Sequence, residues 1–369
     1  MKSVLLLFLL SATLAVGQTN RLPDTLVSPQ VLADGRVTFR IRAPQAKEVG
    51  LFGDWMAAGT RELLTKDDQG VWSTTLGPLD HGISIYNFIL DGLPMADPVN
   101  PRIKLRARTS ASFVEVPGFP PELWEARDVP HGTVEVNWAK SAVTGDTRAY
   151  YVYTPPDYSR QTAARYPVLY LLHGNLDTAA GWTDAGRAHF ILDNLLAEKQ
   201  AVPMIIVMPW GHAVPYDGPQ TNNTAVFERY VIEEVMPQVD AKYRVAPGRE
   251  NRAIVGLSMG GGHALQIGLS HLDRFSAVGA FSSAIPSNLA TRFKSLLDQP
   301  EETNARLKLL WIGCGRQDPA FVRNEELAGL LKDHGVRVTF NPTEGRHNFA
   351  VWRRYLVAVA PLLFREGGK

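Results

Sequence analysis

The stretch Arg252-Ala-Ile-Val-Gly256-Leu-Ser258-Met-Gly260-Gly-Gly-His263 decides how this chain is read. A short apolar strand leads into Gly-x-Ser-x-Gly, and a helix opens on the glycines that follow. That succession describes a strand-to-helix turn tight enough to force one side chain into the open. Glycines are needed at 256 and 260, because β-carbons there would collide with the backbone as it reverses. The serine stands at a helix N-terminus, where free N–H groups and the helix dipole favour developing negative charge. Gly-x-Ser-x-Gly alone is a weak signal. A strand before it and a helix after it make Ser258 a candidate nucleophile.

Outward from this turn, strands alternate with helices. Ala149–Thr154, Val168–Leu172, Met204–Met208, Ala253–Gly256, Ala277–Phe281, Leu307–Gly313 and Arg337–Asn341 read as strands. Helical periods run over Ala188–Glu198, Val226–Tyr243, Gly260–Leu269, Asn324–Gly335 and Phe349–Phe364. Continuous apolar strands with helices between them predict an α/β fold, a mostly parallel sheet covered on both faces. Chemistry in such sheets gathers at the carboxyl ends of the strands.

Residues 27–117 differ. Val37-Thr-Phe-Arg-Ile-Arg42, Val71-Trp-Ser-Thr-Thr-Leu76 and Ile83–Leu90 read as short alternating strands, separated by turns such as Asp68-Gln-Gly70 and Asp91-Gly92. Seven or so strands in this span predict an all-β, immunoglobulin-like sandwich. A proline-rich join over 118–130 leads to the α/β domain at 131–369.

A serine hydroxyl needs a base to take its proton. Of nine histidines, His347 follows the last expected strand and precedes the terminal helix, the loop that overlooks the serine turn in such sheets. His263 and His271 lie in or after the helix that follows Ser258; His81 and His131 lie outside or at the edge of the α/β region. An acid should orient the imidazole, in the chain order serine, acid, histidine. Asp318 directly follows a strand and fits; Glu344, Asp298 and Asp333 compete. Backbone N–H groups of Met259 and Asn175 are the expected oxyanion donors, with His173 supporting the loop that carries Asn175. Trp182, Trp210, Phe281 and Trp352 are candidate acyl-pocket residues.

Composition narrows the rest. The 369 residues carry a formal net charge of +1 and 45% hydrophobic residues, so no strong field recommends nucleic acid as a partner. Metal-ligand spacings and dinucleotide or phosphate loops are missing from the sequence, and no cofactor is expected. Cys314 is the single cysteine. The start Met1-Lys-Ser, the apolar run Val4–Leu10 and Ala15-Val-Gly17 read as a cleaved signal peptide over 1–17, which predicts a soluble protein, secreted or periplasmic, off the membrane after cleavage.

Leu171-Leu-His-Gly174, the stretch from Arg252 to Gly261, Gly279-Ala-Phe-Ser-Ser283, Ile312-Gly-Cys-Gly-Arg-Gln-Asp318 and Val351-Trp-Arg-Arg-Tyr355 after His347 complete a set. Over residues 148–364 it resembles the esterase D-like α/β-hydrolases of carbohydrate esterase family one. The sandwich resembles the glycogen-binding, isoamylase-N-terminal type found before such enzymes. The resemblance implies a serine esterase with Ser258 as nucleophile, His347 as base and Asp318 as acid, releasing ferulate from plant polysaccharide. It leaves open an acetyl-xylan esterase, a siderophore esterase of the enterochelin type, or a carbohydrate-binding protein without activity. Where that family often has Gly-Gly-His-Thr-Trp, this chain has Gly345-Arg-His-Asn-Phe349, which alters the pocket wall. Whether the sandwich binds glycan or caps the site, and the oligomeric state, are left open.

Overall fold

The structure is a computed structural model that describes residues 26–215, 222–285 and 288–365. The expected signal peptide, 1–17, lies outside the described residues. An eight-stranded sheet forms the α/β body, in the order Thr133–Lys140, Thr147–Thr154, Ile205–Pro209, Val168–Leu172, Arg252–Leu257, Ala277–Phe281, Leu309–Gly315, Thr339–Thr343. The last six run parallel; Thr147–Thr154 runs against them and pairs with the edge strand Thr133–Lys140.

Every residue of Val168–Leu172 is buried, which explains its unbroken apolar sequence. Val168, Tyr170 and Leu172 face one layer, with the helix Met259–Ser270 and the helix Phe321–Asp333. Leu169 and Leu171 face the other, with Ala188–Ala197 and Phe349–Val359. The helix expected over Val226–Tyr243 is interrupted: Asn223–Arg229 and Met236–Lys242 are α-helical, and Tyr230–Val235 between them is a π-turn. Pro237 has no N–H to return to the preceding turn, so the ladder slips beside it. The edge strand Thr133–Lys140 was not among the expected strands. Its outer positions Val136 and Trp138 are exposed, so no clean alternation marks it.

The N-terminal residues form two antiparallel sheets that enclose one core. Phe39 and Ile41 of Val37–Arg42 and Trp72 of Val71–Leu76 meet Leu51 of Val49–Gly53, Tyr86 and Phe88 of Gly82–Leu90, and Val114 and Val116 of Ser110–Val116. Strands number more than expected because short pieces such as Thr65–Lys66 and Ile103–Leu105 edge both sheets.

Side chains alternate across a strand, and here the even-numbered residues of Gly82–Leu90 and Ser110–Val116 fill the sandwich. Several of the odd ones are buried too, on the other face. Ile83, Ile85, Ala111 and Phe113 are buried in the same cluster as Leu169, Trp352 and Leu356 of the α/β body. The two halves therefore share a continuous apolar core. The join packs as well, with the Asn194 amide donating to the carbonyls of Leu123 and Glu125 at 2.8 and 2.9 Å.

Polar contacts seal this seam. Arg353, 2% exposed, donates to the carbonyl of Ala185 at 2.7 Å and to that of Ile83 at 2.8 Å. Lys104 forms a buried ion pair with Asp177. Asn348 donates to the backbone carbonyl of Asp54 at 3.0 Å. Burial pushes the Asp54 carboxyl up to about 6, against the Ile85 N–H and the charges of Arg353 and Arg106.

Phe113→Ala should cost about 3–5 kcal/mol by opening a cavity in the shared core. Calorimetry should show one unfolding transition that moves as a unit; two transitions, only one of them shifted, would contradict the continuous core. Asp54→Asn tests the seam by pH. A carboxyl whose folded pKa is raised destabilises the fold once it ionises, so the cost grows from about pH 4 and is complete above about pH 6. The melting temperature of the variant relative to the parent should therefore rise by a few degrees between pH 4 and 7; a gap independent of pH would refute the raised value.

Candidate active site

Ser258 sits between the strand Arg252–Leu257 and the helix Met259–Ser270 with φ 51° and ψ −116°. Few residues with a β-carbon adopt this geometry unless their surroundings enforce it. The enforcement is visible. The Ser258 N–H donates to the carbonyl of Phe281 at 2.8 Å, and its own carbonyl accepts from Gly262 at 3.1 Å and Ala284 at 3.0 Å. A β-carbon on Gly256 would lie 2.2 Å from the Gly260 carbonyl oxygen, and one on Gly260 would lie 2.4 Å from that of His173. Both positions admit only glycine without a backbone shift.

The structure brings Ser258, His347 and Asp318 into one hydrogen-bonded chain. His347 Nε2 lies 3.0 Å from Ser258 Oγ, and Nδ1 lies 2.8 Å from Asp318 Oδ2. Asp318 is 4% exposed and its other carboxylate oxygen accepts from the Ala320 N–H at 2.8 Å. Burial alone would raise its pKa, but the hydrogen bond and charge of His347, with the Ala320 N–H and the Ser282 hydroxyl, hold it below the ordinary carboxylate value. An ionised Asp318 fixes the proton of neutral His347 on Nδ1, which leaves Nε2 to accept the serine proton. The competing acids lie elsewhere: Glu344 bonds Gln317 at the surface, Asp298 pairs with Lys294, and Asp333 is exposed.

The histidine loop is held from both sides. Asn348 caps the helix Phe349–Val359, its side chain accepting from the Val351 N–H at 3.3 Å while its amide reaches Asp54 in the sandwich. Trp352 stands edge-on to the imidazole, ring centres 4.9 Å apart, and donates its indole N–H to Ser282 Oγ at 3.0 Å.

The expected oxyanion donors adjoin the serine. Met259 is the first residue of the helix, so its N–H has no partner within the helix. The loop of Gly174 and Asn175 passes so close that a β-carbon on Gly174 would lie 3.2 Å from that of Ser258. His173 accepts from the Gly211 N–H at 2.8 Å, so its remaining nitrogen carries the proton toward the Gly174 carbonyl, also 2.8 Å away. Burial lowers its pKa, and it ties two loops together as a neutral ring.

The four aromatic candidates divide. Trp352 lines the cavity that holds Ser258. Trp182 and Phe281 do not: each is 0% exposed, and they pack on one another within the core, the Trp182 indole satisfied by the Leu172 carbonyl at 3.0 Å. Trp210 lies outside the lining, its ring under the Arg148 guanidinium. Cys314 is buried, its thiol pushed up to about 12, and has no part in the site.

The cavity measures about 800 Å³. Leu257, Phe349 and Trp352 line it from the α/β body, and Phe52, Met56 and Ile85 from the sandwich. The sequence left open whether the sandwich caps the site, and here it supplies part of the cavity wall. One signal could have shown it: Ile83–Leu90 carries apolar residues at odd positions (Ile83, Ile85, Ile89) as well as even ones (Tyr86, Phe88, Leu90), which marks a strand covered on both faces.

Known proteins similar to this chain are esterases. A family model named Esterase matches residues 141–363. An endo-1,4-beta-xylanase/feruloyl esterase of Xylanibacter ruminicola is 33% identical over 91% of this chain, which spans only 46% of that protein. A solved ferulic acid esterase is 30% identical, covering 63% of this chain and 97% of its own, with a TM-score of 0.55. An enterochelin esterase of Shigella flexneri, 19% identical, covers 90% of this chain and 94% of its own with a TM-score of 0.66, and so shares the fold. With more than half of its length matched by that family model, the chain belongs to the Esterase family of α/β-hydrolases.

Proposed function

We propose that this protein is an exported serine esterase that removes ferulate or a related hydroxycinnamate from acylated plant polysaccharide. The observation that carries this reading is the hydrogen-bonded chain from Asp318 through His347 to Ser258, open to a cavity with an apolar floor. The serine oxygen would attack the ester carbonyl as its proton passes to His347 Nε2. The oxyanion would be held by the N–H groups of Met259 and Asn175. His347 would then return the proton to the departing sugar oxygen, leaving an acyl-serine. A water molecule, deprotonated by the same nitrogen, would attack that ester and release the acid with Ser258 restored. No step calls for a cofactor.

Cavity size favours an aromatic acid over acetate. About 800 Å³ lies in the range that accommodates whole small molecules, far beyond an acetyl group. The names of the relatives support the same substrate class, since one joins xylanase and feruloyl esterase activities in a single protein. Export rests on the leader-like residues 1–17. We read the sandwich, of the glycogen-binding type by its sequence, as a wall of the site: Trp72 is core, the half-buried Trp55 stacks on Phe39, and Phe52, Met56 and Ile85 line the cavity. The likeness to the enterochelin esterase extends over the sandwich and favours a second reading, hydrolysis of a siderophore ester.

Ser258→Ala should cut kcat on methyl ferulate by roughly four or more powers of ten while leaving the melting temperature unchanged. Undiminished turnover would remove Ser258 from the mechanism. Asp318→Asn should also lose about four powers of ten, because an amide no longer fixes the imidazole tautomer. A panel of methyl ferulate, acetylated xylan and a catecholate triester decides between the readings. The highest kcat/KM is expected on the ferulate, and a clear preference for either of the others would replace this substrate assignment.

A further inference from the structure

The charges around the cavity do not balance by pairing. Asp318 is bonded to His347, and Lys104 is in a buried ion pair with Asp177. Two guanidinium groups on the same lining are left over. Arg106 comes from the sandwich, between the strands Ile103–Leu105 and Ser110–Val116, and is half-buried. Its backbone N–H donates to the Thr109 carbonyl at 3.0 Å, but among the described residues its side chain makes no hydrogen bond or ion pair. Arg346, directly before the histidine, lines the cavity from the opposite domain, and its side chain likewise has no such partner among the described residues.

Withdrawing a guanidinium from water without a partner is unfavourable. Burial lowers the pKa of Arg106, and the charges of Asp177 and Asp54 recover only part of that loss. Neither acid is within ion-pair distance of Arg106: Asp177 is paired with Lys104, and the Asp54 carboxyl is engaged by the Ile85 N–H. An arginine side chain presents paired donors in one plane, which match the two oxygens of a carboxylate. Both residues line the cavity that holds Ser258.

We propose that Arg106 and Arg346 form a subsite for a carboxylate carried by the ester substrate, and so determine specificity for acidic over neutral esters. This rests on the esterase reading of the same cavity. Two sources supply the chemistry: a uronate in the sugar portion, or a second carboxylate in the acyl portion. The apolar floor of Leu257, Phe349 and Trp352 suits the ring of an uncharged acyl group, which assigns the carboxylate to the sugar.

Binding to the Ser258→Ala protein tests this without turnover. The probes are a xylo-oligosaccharide bearing one glucuronic acid and its carboxyl-reduced counterpart. Monomethyl and dimethyl succinate form the second pair. Calorimetry at low ionic strength should show the uronate sugar binding about tenfold or more tightly than the reduced one. High salt should narrow the gap. Adding Arg106→Gln or Arg346→Gln should collapse it to about twofold or less, while Arg106→Lys keeps part of it. Because Arg346 is exposed, its substitution remains informative even if Arg106→Gln disturbs the fold. A preference confined to the succinate pair and lost in the same variants would keep the carboxylate subsite and move its source to the acyl group. Equal binding within both pairs, or a gap that survives both substitutions, would overturn the proposal. Hydrolysis of methyl ferulate by the unmutated protein reports on the esterase reading separately, since that ester carries no carboxylate.

Discussion

A serine held at φ 51° on the turn between a parallel strand and a helix is the constraint on which the rest of this structure depends. Such a residue carries on the order of 1–3 kcal/mol of backbone strain, which persists only where the surroundings leave no alternative. Here the backbone of Ser258 is tied to Phe281, Gly262 and Ala284, residues of the neighbouring strand, the helix that follows and the loop beyond. Two glycines allow those approaches. Relaxing the serine would require separating the central strands of the sheet, so the hydroxyl stays aimed at the loop where His347 waits.

Placing the imidazole is a task for both halves of the molecule. Asp318 fixes one ring nitrogen, Trp352 supports the ring face, and Asn348 anchors the loop to the carbonyl of Asp54 in the sandwich. Behind these contacts lies a strand, Gly82–Leu90, with one face in each core. The sandwich is thus continuous with the body instead of tethered to it. It contributes Phe52, Met56, Ile85 and Arg106 to the cavity. The cavity beside His347 is thus walled in part by side chains more than two hundred residues away in the sequence.

How much of this was legible depended on whether the signal was local. The turn at Ser258 was legible, because glycines at 256 and 260 between an apolar strand and a helix admit few other structures. Asp318 and His347 were legible from chain order and from their position after strands, and they lie within hydrogen-bonding distance of their neighbours in the triad. The aromatic wall was not. Trp182, Phe281 and Trp352 are alike in sequence, and only packing tells that the first two point into the core and the third toward the histidine. The π-turn before Met236 was signalled by Pro237, yet the helical period of its apolar residues masked it. Residues such as Asp54 and Arg106 were beyond reach, since what they face is set by the docking of two cores and by nothing in their own segments.

The central claim is that an acyl group passes through the oxygen of Ser258. Acid-quenching the protein within its first turnovers of a ferulate ester, followed by proteolysis and mass spectrometry, addresses it most directly. The account predicts a feruloyl adduct on the peptide that contains Ser258, absent from the Ser258→Ala protein. Steady release of ferulate with no adduct at that serine, or with the adduct on another side chain, would contradict it.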